Sequence, residues 1–266
     1  MTRIESNRPA RPLLEVVGLS KSFGGVSAIE DVNFAVSSGH IKGVIGPNGA
    51  GKSTLLNLVG GSLRADRGAI TMDGVRLDRL PAYDVPRHGV ARTFQLVRLF
   101  NNNHATVLDN VLLGAHLRLA PSILSTLAGR SGRQEERLRA KAREWLDFFG
   151  LIRTEDRAPR SLAFGQQRYV ELARAMMLEP KLLLLDEPAS GLNDAEVGVF
   201  AGVLRKIRDE GVTIVLIEHD MKLIMSISDE ILVLAQGRKL AEGTPEAVRS
   251  NPEVIEAYLG TPHETN

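Results

Sequence analysis

The sequence predicts an α/β fold built on a parallel sheet, with an all-helical stretch near residues 104–178 set apart from it. Three observations lead there. Between residues 165 and 235 short apolar strands alternate with helical segments, the pattern of a parallel sheet wrapped by helices. The run IKGVIG, residues 41–46, is an apolar strand that ends in glycine and leads into a helix from about Gly51 to Val59. AITMDGVRL, residues 69–77, reads as a hairpin turning at Asp73-Gly74.

Taken in order, strand-like runs at 13–18 and 29–36 precede the apolar strand at 41–46 and its helix. Thr106 to His116 reads as helical, with Thr106 and Asp109 spaced as a capping box. In the segment from Gln134 to Phe149, Leu138, Ala142, Trp145 and Phe149 fall on one helical stripe. The alternation then follows: helix 165–178, strand 182–186, helix 194–210, strand 212–218, helix 220–227 and strand 230–235. Gly211 closes the long helix as a C-terminal cap. There is no internal repeat, and the basic-rich piece between Pro121 and Lys141 is expected to be a loop or insertion.

The bulk properties bound the function. The 266 residues suffice for one large domain, or a domain with a subdomain, around a buried core. Lys+Arg 33 against Asp+Glu 32 leaves a net charge of +1, so nothing global points to nucleic acid and no nucleic-acid partner is expected. The absence of cysteine excludes a disulfide framework and a thiolate metal site, and fits a reducing compartment. The polar start MTRIESNRPARP is not expected to be a secretory signal. The most apolar stretches, at 182–185 and 212–217, fall far short of the roughly 20 residues that span a bilayer. A soluble protein is expected, one that meets a membrane only from the side.

GPNGAGKS, residues 46–53, matches the G-x-x-x-x-G-K-[ST] phosphate loop in its strand–loop–helix context. Gly46, Gly49 and Gly51 let the backbone curl so that N–H groups surround a β-phosphate, with Pro47, Asn48, Ala50 and Thr54 completing the cradle. Lys52 reaches the β- and γ-phosphates, and Ser53 offers a hydroxyl to Mg²⁺. KLLLLDEP, residues 181–188, is a buried strand ending in two acids, and such carboxylates need a cation or a water to serve. Asp186 suits the outer shell of the magnesium; Glu187 suits the general base that orients or deprotonates the attacking water. LIEHD, residues 216–220, repeats the arrangement, making His219 a candidate γ-phosphate contact, although a lone His at a strand end is more often a surface residue. ARTFQ, residues 91–95, sets Gln95 at another strand end, where an amide can ligate Mg²⁺ or water; alone it would be an ordinary loop residue.

A second candidate anion site opens at SLAFGQQRYVELARAM, residues 161–176, where a polar turn becomes a helix. Its unpaired N–H groups and positive dipole end suit an anion.

The order of phosphate loop, Gln95, LAFGQQ, LLLLDEP, SGLN and EHD resembles the ATPase subunit of an ABC transporter from about Leu13 to Gly260. The resemblance implies an α/β P-loop NTPase core with an antiparallel β subdomain and a helical subdomain. It implies residues 1–12 as a flexible N-terminus, 13–260 as a single ABC ATPase domain with its helical subdomain at about 92–178, and 261–266 as a tail. It also implies ATP and Mg²⁺ as cofactors, Gln95 in the Q-loop, Ala163, Gly165 and Gln166 in the signature, Asp186 and Glu187 in Walker B, His219 in the switch, and Phe23 as the aromatic that stacks on adenine. Read alone, an aromatic near the first strand is usually core. In this family two ATPase subunits pack head to tail, so the second helix end would meet the nucleotide held by a partner.

Finer wording, GVARTFQLVRLF, IEHDMKLIMSISDEILVLAQGRKLAEGTPEAV and NPEVIEAYLG, resembles the branched-chain amino-acid uptake group. That implies import of branched-chain or other hydrophobic amino acids or related small molecules, at the cytoplasmic face of a prokaryotic inner membrane. The implied partners are a second ATPase subunit forming a heterodimer with this chain, two membrane permeases and, indirectly, an extracytoplasmic binding protein. A lipid or lipopolysaccharide exporter is the alternative, and a soluble non-transport ABC ATPase ranks low. Three positions depart from the general pattern: Ala163 replaces the signature Ser, Phe164 a Gly and Asn193 the D-loop Asp. The loop after Gln95, with apolar Leu96, Val97, Leu99 and Phe100, is expected to dock a short helix of a membrane subunit. The charges of 118–143 read first as a solvated helix with pairs such as Glu135–Arg139, and second as a face for anionic lipid or membrane subunits.

Overall fold

Four consecutive leucines, Leu182 to Leu185, are all fully buried, which a strand achieves only if both its faces are covered. The computed structural model describes residues 12–93, 99–100, 105–116 and 131–259. Its central sheet has six strands in the order β10-β9-β3-β8-β7-β6. They are β3 (Ile41–Ile45), β6 (Val90–Arg92), β7 (Leu182–Asp186), β8 (Thr213–Ile217), β9 (Glu230–Ala235) and β10 (Arg238–Gly243). All neighbours run parallel except β9 and β10, a hairpin.

Alternate residues divide two cores between the faces of this sheet. Ile45, Leu183, Leu185, Ile214 and Leu216 point to one side, into a core shared with the helices α2 (Val107–His116), α3 (Ser131–Phe148), α4 (Phe164–Met176), α5 (Asp194–Asp209) and α6 (Met221–Ile227). Val44, Leu182, Leu184, Val215 and Ile217 point to the other side, against α1 (Lys52–Val59) and a second sheet. That second sheet is antiparallel, in the order β2-β1-β4-β5, from β1 (Leu14–Phe23), β2 (Val26–Val36), β4 (Arg67–Met72) and β5 (Val75–Arg76). The parallel core, the antiparallel sheet and the group of helices agree with the fold class read from the sequence.

The expected capping box forms: Thr106 Oγ1 accepts from the Asp109 N–H at 3.0 Å, and Asp109 Oδ2 accepts from the Thr106 N–H at 3.0 Å. An aromatic ladder joins α3, α4 and α5, with Phe149 on Tyr169 at 6.0 Å and Tyr169 on Phe200 at 6.2 Å between ring centroids. On α3 Arg139 pairs with Glu135, and Lys141 and Arg143 reach Glu179 and Glu155. The first is the expected pair within the helix, and the other two tie the helix to residues beyond it; residues 118–130 lie outside the described residues.

Three features differ from the sequence reading. β10 and two C-terminal helices, α7 (Pro245–Arg249) and α8 (Pro252–Leu259), follow the last expected strand. The strand assigned to ARTFQ ends at Arg92, with the Thr93 N–H adding one more bond to the Leu184 carbonyl at 3.0 Å. Leu99 is not an exposed docking residue; it is buried in the helix-side core, whereas Phe100 is exposed. The buried Asn110 side chain holds this stretch, accepting from the Phe100 N–H at 2.7 Å and donating to the Phe100 carbonyl at 3.0 Å. Leu96 and Val97 lie outside the described residues. Among the described residues no helix is long and apolar enough to cross a membrane.

Helices α2 and α4 cross so closely that a Cβ on Gly114 would lie 1.9 Å from the Arg174 carbonyl oxygen. Gly114→Ala is therefore expected to destabilise the protein by roughly 1–3 kcal/mol, as overpacking does. Gly202→Ala on α5, where a Cβ meets nothing within 4 Å, is expected to be neutral or stabilising. Denaturant midpoints of the two variants check the contrast.

Candidate functional site

The phosphate loop forms where β3 ends and α1 begins. A Cβ at Gly46 would lie 2.1 Å from the Leu234 carbonyl oxygen, and one at Gly51 would lie 2.4 Å from that of Ala28. Glycine is therefore required at both positions, and Gly51 also takes φ 98 as the N-cap of α1. That N-cap brings no side-chain hydrogen bond, so the first-turn N–H groups of α1 remain available to an anion. Lys52 is buried, its Nζ donating to the Gly46 carbonyl at 2.6 Å and the Pro47 carbonyl at 3.0 Å. Burial lowers its pKa, and the charges of Glu187 and Asp186 oppose that shift. Ala50 is buried beneath the loop, Asn48 and Gly49 are exposed at its crest, and Ser53 is exposed and Thr54 half-buried at the start of α1.

Asp186 is the last residue of β7, buried, with Arg92 Nη2 3.4 Å from its Oδ2. Its Oδ1 is buried and makes no hydrogen bond. Burial raises its pKa, with Arg92 opposing, Glu187 adding to the rise and the Ser53 hydroxyl opposing. Glu187 follows with φ 48, a left-handed conformation that a non-glycine residue keeps only where its surroundings enforce it. Its N–H donates to the Ile217 carbonyl at 2.9 Å. His219 is largely exposed, its Nδ1 3.5 Å from Glu187 Oε1. The structure therefore brings Lys52, Asp186, Glu187 and His219 to one sheet edge. Gln95 lies outside the described residues.

The second helix start also exists. Ala163 is the N-cap of α4 and has no side-chain oxygen to offer, while its own N–H donates to Gln166 Oε1 at 3.2 Å. Ala163 and Phe164 are exposed and Gly165 and Gln166 half-buried. Asn193 caps α5, with Oδ1 accepting from the Glu196 N–H at 3.0 Å and the Glu196 carboxylate returning to the Asn193 N–H at 2.9 Å. Asn serves this cap as well as Asp does, which gives the departure at 193 a local structural basis. Phe23, at the tip of the β1–β2 hairpin, is 47% exposed with the Lys21 ammonium 5.4 Å from its ring centre, so it is not a core aromatic.

Several site residues escaped the sequence reading. Arg92 bridges α1 and β7, donating to Asn57 Oδ1 at 2.6 Å as well as meeting Asp186. Glu218, buried after β8, accepts from the Ala189 N–H at 2.7 Å. Arg168, buried on α4, donates to the Ser190 carbonyl at 2.6 Å. Each lies in a quoted motif, and Glu218 follows an apolar strand just as Asp186 ends one, yet membership of a motif does not mark which long-range partner a charge will meet.

Chemically, the loop and the helix start suit a polyphosphate, and Lys52 supplies its counter-charge. The Ser53 hydroxyl and the unpartnered Asp186 Oδ1 offer two oxygen donors, the kind of partial set a hard divalent cation completes with water and phosphate oxygens. Among the described residues no group of three or more His, Asp or Glu could hold a metal unaided.

Residues 29–190 match the family model described as ABC transporter, and residues 238–264 match the one described as branched-chain amino acid ATP-binding cassette transporter. The chain is 45% identical over 254 residues to the high-affinity branched-chain amino acid transport ATP-binding protein BraF of Pseudomonas aeruginosa, covering 94% of this chain and 99% of that protein. It is 43% identical, with the same coverage, to the high-affinity branched-chain amino acid transport ATP-binding protein LivG of Escherichia coli. A crystal structure of a nucleotide-free ATP-binding cassette from an ABC transporter aligns with TM-score 0.81 at 30% identity, over 94% of this chain and 100% of that one. A dimeric cassette in a post-hydrolysis state, bound to ADP and Pi, aligns with TM-score 0.73 at 25% identity, over 87% of this chain and 98% of that one.

Lys52→Ala is expected to weaken ATP binding roughly ten- to a hundredfold, the loss of one charge-assisted contact to phosphate. Equilibrium titration of the full-length chain with ATP checks it.

Proposed function

The chain belongs to the ABC transporter family of ATP-binding subunits and is an ATPase, and from that premise we propose that it powers the import of branched-chain or other hydrophobic amino acids or related small molecules. The observation that carries the chemistry is the meeting of Lys52, Asp186, Glu187 and His219 at one sheet edge. The transport class rests on the match at residues 238–264 and on the names of the relatives. Those names do not favour the export reading.

ATP lies with its phosphates on the loop 46–53 and its adenine on the Phe23 ring. Lys52 exchanges its carbonyl partners for β- and γ-phosphate oxygens. Glu187 orients a water and takes its proton as the water oxygen attacks the γ-phosphorus and ADP departs. His219, already beside the Glu187 carboxylate, contacts the γ-phosphate, and Gln95 meets the water or cation shell. Ser53 and Asp186 would hold Mg²⁺, which offsets the phosphate charge when bound.

Gly165, Gln166 and the Ala163 cap of one chain face the nucleotide on the partner's loop. The partner is a second, distinct ATPase, as the resemblance to the branched-chain uptake group implies; in a homodimer both sites would lack the signature hydroxyl that Ala163 does not offer. Residues 13–260 form one ABC ATPase domain with its helical part at about 92–178, serving two permeases at the cytoplasmic face of a prokaryotic membrane, and indirectly an extracytoplasmic binding protein.

Glu187→Gln is expected to keep ATP affinity while turnover falls on the order of 10²-fold or more. By sedimentation, that variant with ATP is expected to associate tightly with the second ATPase and weakly with itself. A tight homodimer indifferent to the paralogue would refute the heterodimer.

Gly165→Asp separates the two helix starts. A Cβ there meets Leu192 Cδ2 at 3.5 Å and Glu196 Oε1 at 3.8 Å, ordinary contact distances, so a side chain at 165 has room to begin. Its carboxylate would repel the partner's γ-phosphate, and ATP-dependent closure is expected to be lost with ATP affinity of the isolated chain intact. Loss of that affinity would show that the signature acts on the chain's own nucleotide.

A further inference from the structure

Two buried charges beside the site play no part in the chemistry proposed above. Arg168 is 4% exposed and Glu218 is 2% exposed. A buried charge is costly unless its hydrogen bonds require it. These two grip neighbouring peptide groups of the turn that follows Glu187. Glu218 Oε1 accepts from the Ala189 N–H at 2.7 Å, and Arg168 Nη2 donates to the Ser190 carbonyl at 2.6 Å. An acid thus holds the donor of one residue and a base the acceptor of the next, one from the segment after β8 and the other from α4.

The turn has three further ties, from the Glu187 N–H to the Ile217 carbonyl at 2.9 Å, from the Ser190 N–H to the Glu187 carbonyl at 3.2 Å and from the Leu192 N–H to the Ala189 carbonyl at 3.0 Å. Phe164 steadies the clamp, its ring centre 4.9 Å from the Arg168 guanidinium carbon. That contact gives the aromatic at 164 a use within its own chain. Burial raises the Glu218 pKa and lowers that of Arg168; the Ala189 N–H and His219 oppose the first shift, and Glu171 and Glu218 oppose the second.

Glu187 needs such support. Its φ of 48 is a strained conformation that relaxes unless the surrounding bonds over-determine it. We propose that Arg168 and Glu218 are positioning residues, clamping the 187–190 turn from two sides and so holding the Glu187 carboxylate where it acts on water. The proposal rests on the reading of Glu187 as the base.

Glu218→Leu removes the acceptor and Arg168→Met the donor at similar volume. Each is expected to lower ATP turnover by the full-length chain ~10-fold or more with ATP affinity within about twofold, the pattern of a lost transition-state contribution. Hydrogen exchange at the Ala189 amide is expected to accelerate in both. Glu218→Gln, which keeps an acceptor oxygen, is expected to recover most of the turnover and the protection. Normal turnover and normal Ala189 exchange in folded Glu218→Leu and Arg168→Met overturn the proposal. So does a fall in ATP affinity matching the fall in turnover, which marks general disruption, and so does failure of Glu218→Gln to recover anything. Glu187→Gln is the separate control. If it hydrolyses ATP normally the base assignment fails, and the positioning role fails with it even where Ala189 exchange responds.

Discussion

Parallel pairing of β3, β8 and β7 is the constraint from which the site follows. Ile217 stands opposite Val44 on one side and Asp186 on the other. The three strands therefore end level, and Gly46, Glu187 and Glu218 leave the sheet along one edge. The register cannot slip, because a shift of one residue would exchange the residues facing the helices with those facing α1 and the antiparallel sheet. Both faces of this sheet are buried, so such a shift would misplace every side chain it carries.

That edge concentrates charge where little water reaches. Lys52, Asp186, Arg168 and Glu218 are all buried, and each is shifted from its ordinary pKa first by desolvation. The arrangement tolerates this because acids and bases interleave: Lys52 lies in the field of Asp186 and Glu187, Arg92 meets Asp186, and Arg168 lies in the field of Glu218. A polyphosphate adds negative charge to such a site, which favours the cations already there and calls for more. The buried Asp186 Oδ1, which makes no hydrogen bond, leaves an acceptor open at this edge.

The helices on one face give the second helix start its rigidity. Tyr169 stacks between Phe149 of the α3 end and Phe200 of α5, and Gly114 lets α2 approach α4 to backbone contact. The N-terminus of α4 is thus presented by a packed body. Through Arg168 that body is also bonded to the turn beside Glu187, so the start of α4 and the Glu187 turn belong to one hydrogen-bonded network.

Neighbours along the chain suffice to specify the local parts of this protein. The phosphate loop, the acids after LLLL, the Thr106–Asp109 box and the hairpin at Asp73-Gly74 are local arrangements, legible because strand, turn and helix chemistry acts over a few residues. The limits of that legibility are equally local. Gln236-Gly237 makes the same left-handed turn as Asp73-Gly74, with φ 49 and 78 against 50 and 83, yet Gln is not a favoured turn residue and the β9–β10 hairpin went unread. Leu99 looked like a docking residue because an apolar side chain in a loop carries no mark of what covers it. Long-range packing makes it core, leaves Phe23 exposed, and brings Arg92, Arg168 and Glu218 to partners 94, 22 and 29 residues away. A buried charge is chosen by whatever long-range packing brings beside it, and no local pattern specifies that.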